Sequence, residues 1–306
     1  MSVSVRSSRA ARRRDFSRCA LLFIAAFNIG LGAQEPSASH RPPPRNGPWT
    51  RDLLIFHSHN GGAFTEGKTF VARAGVPCLV RDASDRLIAV FQWFPENPRE
   101  AFDKVAAAFS ADEGTTWSPP EPIVVRGLPD GAQRPFDPTL TLLEDGRLRL
   151  YFTSTTPTRR IPGIYSAISK DGLHYEFEPE LRFGVDDNAT VDAAIARLDS
   201  RWHLFSPLQG AENEGYHAVS EDGLVFRRVA NVRVPVRGSW IGNAIVRDHA
   251  LWFYGSGGQE GWLARSNDGA EWQLVSTALR VGGDPAIVSL KNGNDLLVAT
   301  SRTVRP

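Results

Sequence analysis

Three aspartates stand at matching points of a repeating pattern. Asp137 opens DPTLTLLEDGRLRLYF, Asp192 opens DAAIARLDSRWHLFS and Asp284 opens DPAIVSLKNGNDLLVAT, each followed by a proline or alanine and an apolar run. Carboxyl groups gathered from distant points of a chain can divide labour. One stays protonated to help a leaving group depart, another stays ionised to activate water or attack carbon, and a third holds those states apart. Glycosidic bond hydrolysis needs that division. Capping a strand start is the other use open to Asp137 and Asp284, before Pro138 and Pro285, and to Asp192 in TVDAA. Two loop carboxylates, Glu214 in AENEGYHAV and Asp103 in EAFDKVAAAF, sit just before strands at comparable points of their units. Glu214 is the candidate proton donor.

Positioning such groups falls to a repeated unit of strand, polar turn and strand, beginning at Val76, Asp137, Asp192, Gly242 and Asp284. The starts are 61, 55, 50 and 42 residues apart, close to the length of a propeller blade. The first four units continue into a third strand, a turn and an outer strand. The turns read SADEGTTW from Ser110, SKDGLHY from Ser169, SEDGLVF from Ser220 and SNDGAEW from Ser266. In each, the aspartate can accept hydrogen bonds from its own turn and the glycine permits positive φ, so these acids are expected to be structural.

The fifth unit stops without its second half, and a matching half begins the domain in RDLLIFHSHNGGAFTEGKTF from Arg51. A β-sandwich would give no reason for that complementarity. The expected fold is therefore all-β, a five-bladed β-propeller closed by N-terminal strands that complete the last blade. The strand starts then face one channel mouth, where Asp137, Asp192 and Asp284 converge.

Ahead of this domain, six arginines and one aspartate in residues 1–33 precede or flank an apolar run from Cys19 to Leu31. This reads as a signal peptide (1–33) with a twin-arginine-like RRRDF, followed by a Pro- and Ser-rich flexible linker (34–48) and one domain (49–306). An exported protein, periplasmic or extracellular, is expected, with no stable membrane insertion. Net charge is +1 for the chain and about −4 beyond residue 33, which argues against nucleic acid as a partner. Cys78 alone follows the leader, so no intrachain disulfide can form after cleavage. A monomer is expected.

SADEGTTW resembles the Asp-box (BNR repeat) of sialidase-like propellers, with three weaker copies behind it. The acids at Asp137, Asp192 and Asp284 resemble the inner-strand pattern of five-bladed glycoside hydrolases of the arabinanase and fructosidase type. The resemblance implies carbohydrate as partner, and either a glycoside hydrolase or a noncatalytic carbohydrate-binding or protein-interaction propeller. It also implies a glutamate on the blade after Asp192, but that blade begins GSWIGNAIV, leaving Glu214 as substitute. Sialidase-like enzymes hold a sugar carboxylate with arginines. Here Gly75 occupies the first such place, while Arg73, Arg134 and Arg160 are rim candidates and Asp103 loosely resembles the acid–base residue.

Trp93, His203 and Trp240 complete the candidate sugar-binding set, Trp240 as the best stacking platform because it precedes an inner strand. No cofactor is expected. The histidines lack a compact metal-ligand spacing, while a channel cation held by carboxylates stays compatible with the sequence.

Overall fold

The computed structural model describes residues 47–59, 61–257 and 260–304. The expected signal peptide and nearly all of the linker lie outside the described residues. Five sheets, antiparallel but for one outer strand of blade two, surround one channel, and their innermost strands are Ala74–Arg81, Phe136–Leu142, Ala194–Leu198, Gly238–Arg247 and Gly283–Ser289. Successive inner strands are neighbours and the fifth returns to the first, so the fold is a five-bladed β-propeller.

Blade five joins the two ends of the domain. Its order is Gly283–Ser289, Asp295–Thr300, Leu53–Ser58 and Lys68–Val71, with Leu53 opposite Thr300 and Ser58 opposite Asp295. The N-terminal strand thus covers an edge that would otherwise expose a row of backbone groups.

Outer strands are less regular than inner ones. Blade one ends in Glu121–Pro122 alone, and the following Val124–Arg126 crosses to blade two, where it pairs in parallel with His174–Phe183. In blade three the outer edge is split between Arg227–Arg228 and Val232–Arg233. The PREAF stretch forms a short 3-10 turn at Arg99–Ala101 before the third strand of blade one, Lys104–Ser110.

The four Ser-x-Asp turns share one bonding scheme. Each serine hydroxyl donates to the aspartate and accepts the glycine N–H, as Ser220 does with Asp222 (2.9 Å) and Gly223 (3.0 Å). The aspartate then accepts N–H groups further along, as Asp222 does from Leu224 (2.8 Å) and Val225 (3.0 Å). These bonds to the ionised form hold Asp112, Asp171, Asp222 and Asp268 below the usual carboxylate range, Asp112 chiefly through Thr116.

The turns also join blades. Gly114 sits on Leu296 of blade five, Gly172 on Phe109 of blade one, Gly223 on Tyr151 and Arg149 of blade two, and Gly269 on His203 of blade three. Gly61 completes the circle against Arg247 and Tyr254 of blade four. Each turn is therefore packed on the preceding blade, and the ring closes through five such contacts.

Between the blades, aromatic residues fill the wedge. Trp240, Trp262 and Phe253 are buried with Phe205 between blades three and four. A partly buried ion pair of Arg149 with Glu178 (2.8 and 2.9 Å) reaches the Asp222 carbonyl of the next turn through Arg149 (3.2 Å).

Gly223→Ala provides the test of this packing. A β-carbon there would lie 2.8 Å from the Tyr151 hydroxyl and 3.0 Å from Arg149 Nη1, on a residue with φ +72°. We expect a loss of roughly 1–3 kcal/mol in stability, measured by urea unfolding. Unchanged stability would remove the turn from the inter-blade contact.

Candidate functional site

The five unit starts share an unusual backbone. Val76, Asp137, Asp192 and Asp284 have φ of 50°, 50°, 50° and 47°, and Gly242 has φ 150°. In four blades the pairing of inner and second strand slips here, between Gly75 and Cys78, Phe136 and Thr139, Ser239 and Gly242, and Gly283 and Ala286. These are β-bulges, which kink a strand and re-aim a side chain. The bulges carry Asp137 and Asp284, and Asp192 has the same positive φ without a slip in pairing, so the three aspartates line one narrow space.

That space is bounded by Val76, Asp137, Asp192, Gly242, Asn243 and Asp284 and has ≈ 10 Å³ free, room for about one water-sized molecule. The aspartates are half-buried, reachable from the mouth with protein on their other sides. A larger hollow of ≈ 570 Å³ lies on the outer edge of blades two and three, lined by Phe183, Asp186, Val225 and Arg228. It contains none of the channel carboxylates.

Electrostatics in the throat follow from burial and crowding. Desolvation pushes Asp137 up to about 6, against the pull of the Thr153 hydroxyl and with the Asp284 charge adding to the rise. Asp192 is raised well above the carboxylate range by desolvation and by the charges of Asp137 and Asp284. Its carboxyl hydrogen-bonds Asp137, so the pair shares a proton. Asp284 is also pushed up to about 6 by desolvation, opposed by Thr300, Arg51 and Ser256. Below the carboxylates, the channel wall is stitched across blades. Leu140 N–H donates to Cys78 Sγ (3.3 Å) and Ile287 N–H to Asn243 Oδ1 (3.3 Å), while Thr139 donates to the Ala193 carbonyl. Cys78 is buried, its thiol pushed up to about 11, a packing residue.

No protein-family model matches the chain, and no curated protein matches it in sequence. Among solved structures, a thermostable family-43 glycoside hydrolase superposes with a TM-score of 0.54 at 11% identity, over 74% of this chain and 88% of that one. A glycosyl hydrolase from Bacteroides ovatus gives 0.54 at 13% identity, over 85% and 92%. A protein of unknown function from Dyadobacter fermentans gives 0.53 at 14%, over 87% and 86%. At these identities the likeness is one of fold.

The remaining expected residues are distributed differently. Asp103 immediately precedes the third strand of blade one with φ 60°, accepts from Gln92 Nε2 (2.9 Å) and pairs with Arg134. Glu214 begins the third strand of blade three and pairs with Arg233 on the outer edge. Arg73 pairs with Glu96, Trp93 packs half-buried on the core at the end of its strand, and Arg160 is exposed.

Trp240 and His203 are not on the rim. The inner strand of blade four begins at Gly238, so Trp240 lies inside the sheet, fully buried against Phe205, Phe253, Trp262 and Trp272. His203 is buried between blades three and four, stacked on His217 at 5.2 Å with a ring-to-ring hydrogen bond of 3.0 Å. Desolvation holds both imidazoles down to about 4, so they are neutral. Among the described residues no three His, Cys, Asp or Glu side chains are arranged to hold a metal ion, and no helix is long and apolar enough to cross a membrane.

One group was missed in the sequence. Gln92, Thr153 and Thr300 lie opposite the residue just before the bulge in their blades, with Ser206 and Ser256 at corresponding places. Ser206 donates to the Val191 carbonyl (2.6 Å) and Ser256 accepts the Asp284 N–H (2.8 Å). The signal was present, since each is the polar residue ending an apolar second strand.

Crowded carboxyls have a stability signature. Asp284 keeps its proton to higher pH in the fold than in the unfolded chain. Its favourable contribution is therefore complete below about pH 4 and lost as pH rises through about 6. Asp284→Asn should be more stable than the parent at pH 8, by roughly 1–2 kcal/mol, with the gain vanishing near pH 4. Thermal unfolding across that range checks this, and a gain that grew toward low pH would contradict the assignment.

Proposed function

We propose that this protein is an exported glycoside hydrolase whose chemistry is carried by the carboxylates at the channel mouth. The single observation behind this reading is the convergence of Asp137, Asp192 and Asp284 on one narrow space in a fold shared with glycoside hydrolases. Asp192 holds the proton and acts as general acid, Asp137 accepts its hydrogen bond and fixes its protonation, and Asp284 is the ionised partner that activates water or attacks carbon. Glu214 and Asp103, each tied by an arginine, are reserve positions for the acid, and Arg73, Arg134 and Arg160 supply rim contacts to hydroxyls or acidic groups. Export rests on the leader, and the chain acts alone on carbohydrate without a cofactor.

A noncatalytic glycan-binding propeller is the second reading, favoured by a space with room for about one water-sized molecule. Turnover on a glycan panel separates the two. Asp137→Asn, Asp192→Asn and Asp284→Asn should each lower turnover by roughly a hundredfold or more while leaving the fold intact. The rate should rise through about pH 6 as Asp284 ionises and fall at higher pH as the Asp137–Asp192 pair loses its proton. Binding without turnover across the panel would establish the second reading, and full activity in all three variants would exclude this centre.

A further inference from the structure

One joint of the ring is built on histidine. Of the five turn glycines that pack on a preceding blade, Gly269 alone sits on imidazoles: a β-carbon there would lie 2.5 Å from His203 Nδ1 and 3.1 Å from His217 Cε1. The two rings come from adjacent strands of blade three, Arg201–Pro207 and Glu214–Ser220, and are 4% and 2% exposed. They share one hydrogen bond, between His203 Nδ1 and His217 Nε2 (3.0 Å). His217 Nδ1 is buried, and among the described residues it has no hydrogen-bond partner. Phe205 stacks on His217 at 4.8 Å and meets Trp272, at the end of the Gly269 turn, edge-on at 5.3 Å.

Counting protons shows what acid does here. The neutral pair carries two N–H hydrogens on four ring nitrogens, one of them shared between the rings. A third proton, whichever ring donates, leaves His217 Nδ1 as a buried N–H without an acceptor and puts a charge among aromatic rings. A fourth sets N–H against N–H at 3.0 Å, so the hydrogen bond becomes a repulsion. In the unfolded chain both rings take up a proton near pH 6.5. Burial is the largest influence holding both rings neutral; the Arg201 charge, on the same strand, adds to it at His203, and Asp268, in the blade-four turn, opposes it at both.

The joint also reaches the throat. Strand Arg201–Pro207 carries Ser206, whose hydroxyl donates to the carbonyl of Val191 (2.6 Å), the neighbour of Asp192.

We propose that the His203–His217 pair is an acid-sensitive latch. Protonation of the pair unseats the Gly269 turn and opens the seam between blades three and four ahead of the other joints, loosening the strand that steadies Val191 and Asp192. The latch does not rest on the carbohydrate reading. Its contribution to stability is complete above about pH 6.5, the unfolded value, and is lost as pH falls toward about 4.

The throat carboxyls titrate over the same range with the opposite sign, so the test is local. Hydrogen exchange on the full chain, corrected for the intrinsic rate, compares the strands Arg201–Pro207 and Glu214–Ser220 with Leu87–Trp93 of blade one. Between pH 6 and pH 5, protection at the seam should fall about tenfold for each histidine that takes a proton, while blade one keeps its protection. His203→Asn with His217→Gln, which lets two amides replace the ring-to-ring bond without a titrating group, should remove the fall. Should that variant not fold, nitrogen NMR of the parent decides, since both rings must stay neutral in the folded protein down to about pH 5. An equal fall in blade one, a fall that persists in the double variant, or rings that charge above pH 6 with protection intact would each overturn the latch.

Discussion

The positive-φ residue near the start of each inner strand, set in a bulge in four of the five blades, is the constraint on which the rest depends. A β-branched residue at φ 50°, as at Val76, is sterically costly, and no local propensity favours it. It persists because five sheets must converge on one axis, and a strand that kept regular pairing to its end would aim its first side chains into the neighbouring blade. The bulge turns that residue toward the mouth. Where the residue is aspartate, the same kink that relieves the fold gathers charge, so the strain and the candidate chemistry are one feature.

Holding the bulges in place requires a ring that does not open. Two devices secure it at different radii. Near the axis, bonds such as Leu140 N–H to Cys78 Sγ and Ile287 N–H to Asn243 Oδ1 tie inner strands to their neighbours. Further out, each turn glycine packs on the preceding blade, and the strand Leu53–Ser58 closes the final seam with six paired residues. Losing one contact would loosen two blades, because each blade is both host and guest. The short outer strands, such as Glu121–Pro122, can vary because neither device uses them.

Much of this was legible in the chain. The spacing of the starts at Val76, Asp137, Asp192, Gly242 and Asp284 gave the number of blades, and the half-unit from Arg51 gave the closure. The convergence of the three aspartates followed from their common place in the repeat. Hidden were features set by tertiary packing. Both faces of every blade are covered, so an aromatic near the mouth can point into a wedge, as Trp240 does, and a histidine such as His203 can be buried on the face opposite Trp202 and Leu204. The acids of the turns could be matched to their own backbone, but the blade each turn leans on is not adjacent in that local pattern. Nor does sequence say that Asp137 and Asp192 touch while Asp284 stands apart.

That last distinction comes from counting around a ring of five. Blades two and three are neighbours, and blade five lies across the channel from the seam between them, separated by blade one on one side and blade four on the other. Asp137 and Asp192 are therefore forced to share a proton, since two adjacent desolvated carboxylates repel strongly. Asp284 lies one blade removed on either side, and its charge raises both. A carboxylate at position 76 would adjoin Asp137 and Asp284 together, and one at 242 would adjoin Asp192 and Asp284, adding a further charge to the ring. Val76 and Gly242 leave those two gaps uncharged. An apolar residue and a glycine in the two gaps are thus part of the electrostatic design, because a site needing one proton held and one released depends on where charge is absent as much as on where it is placed.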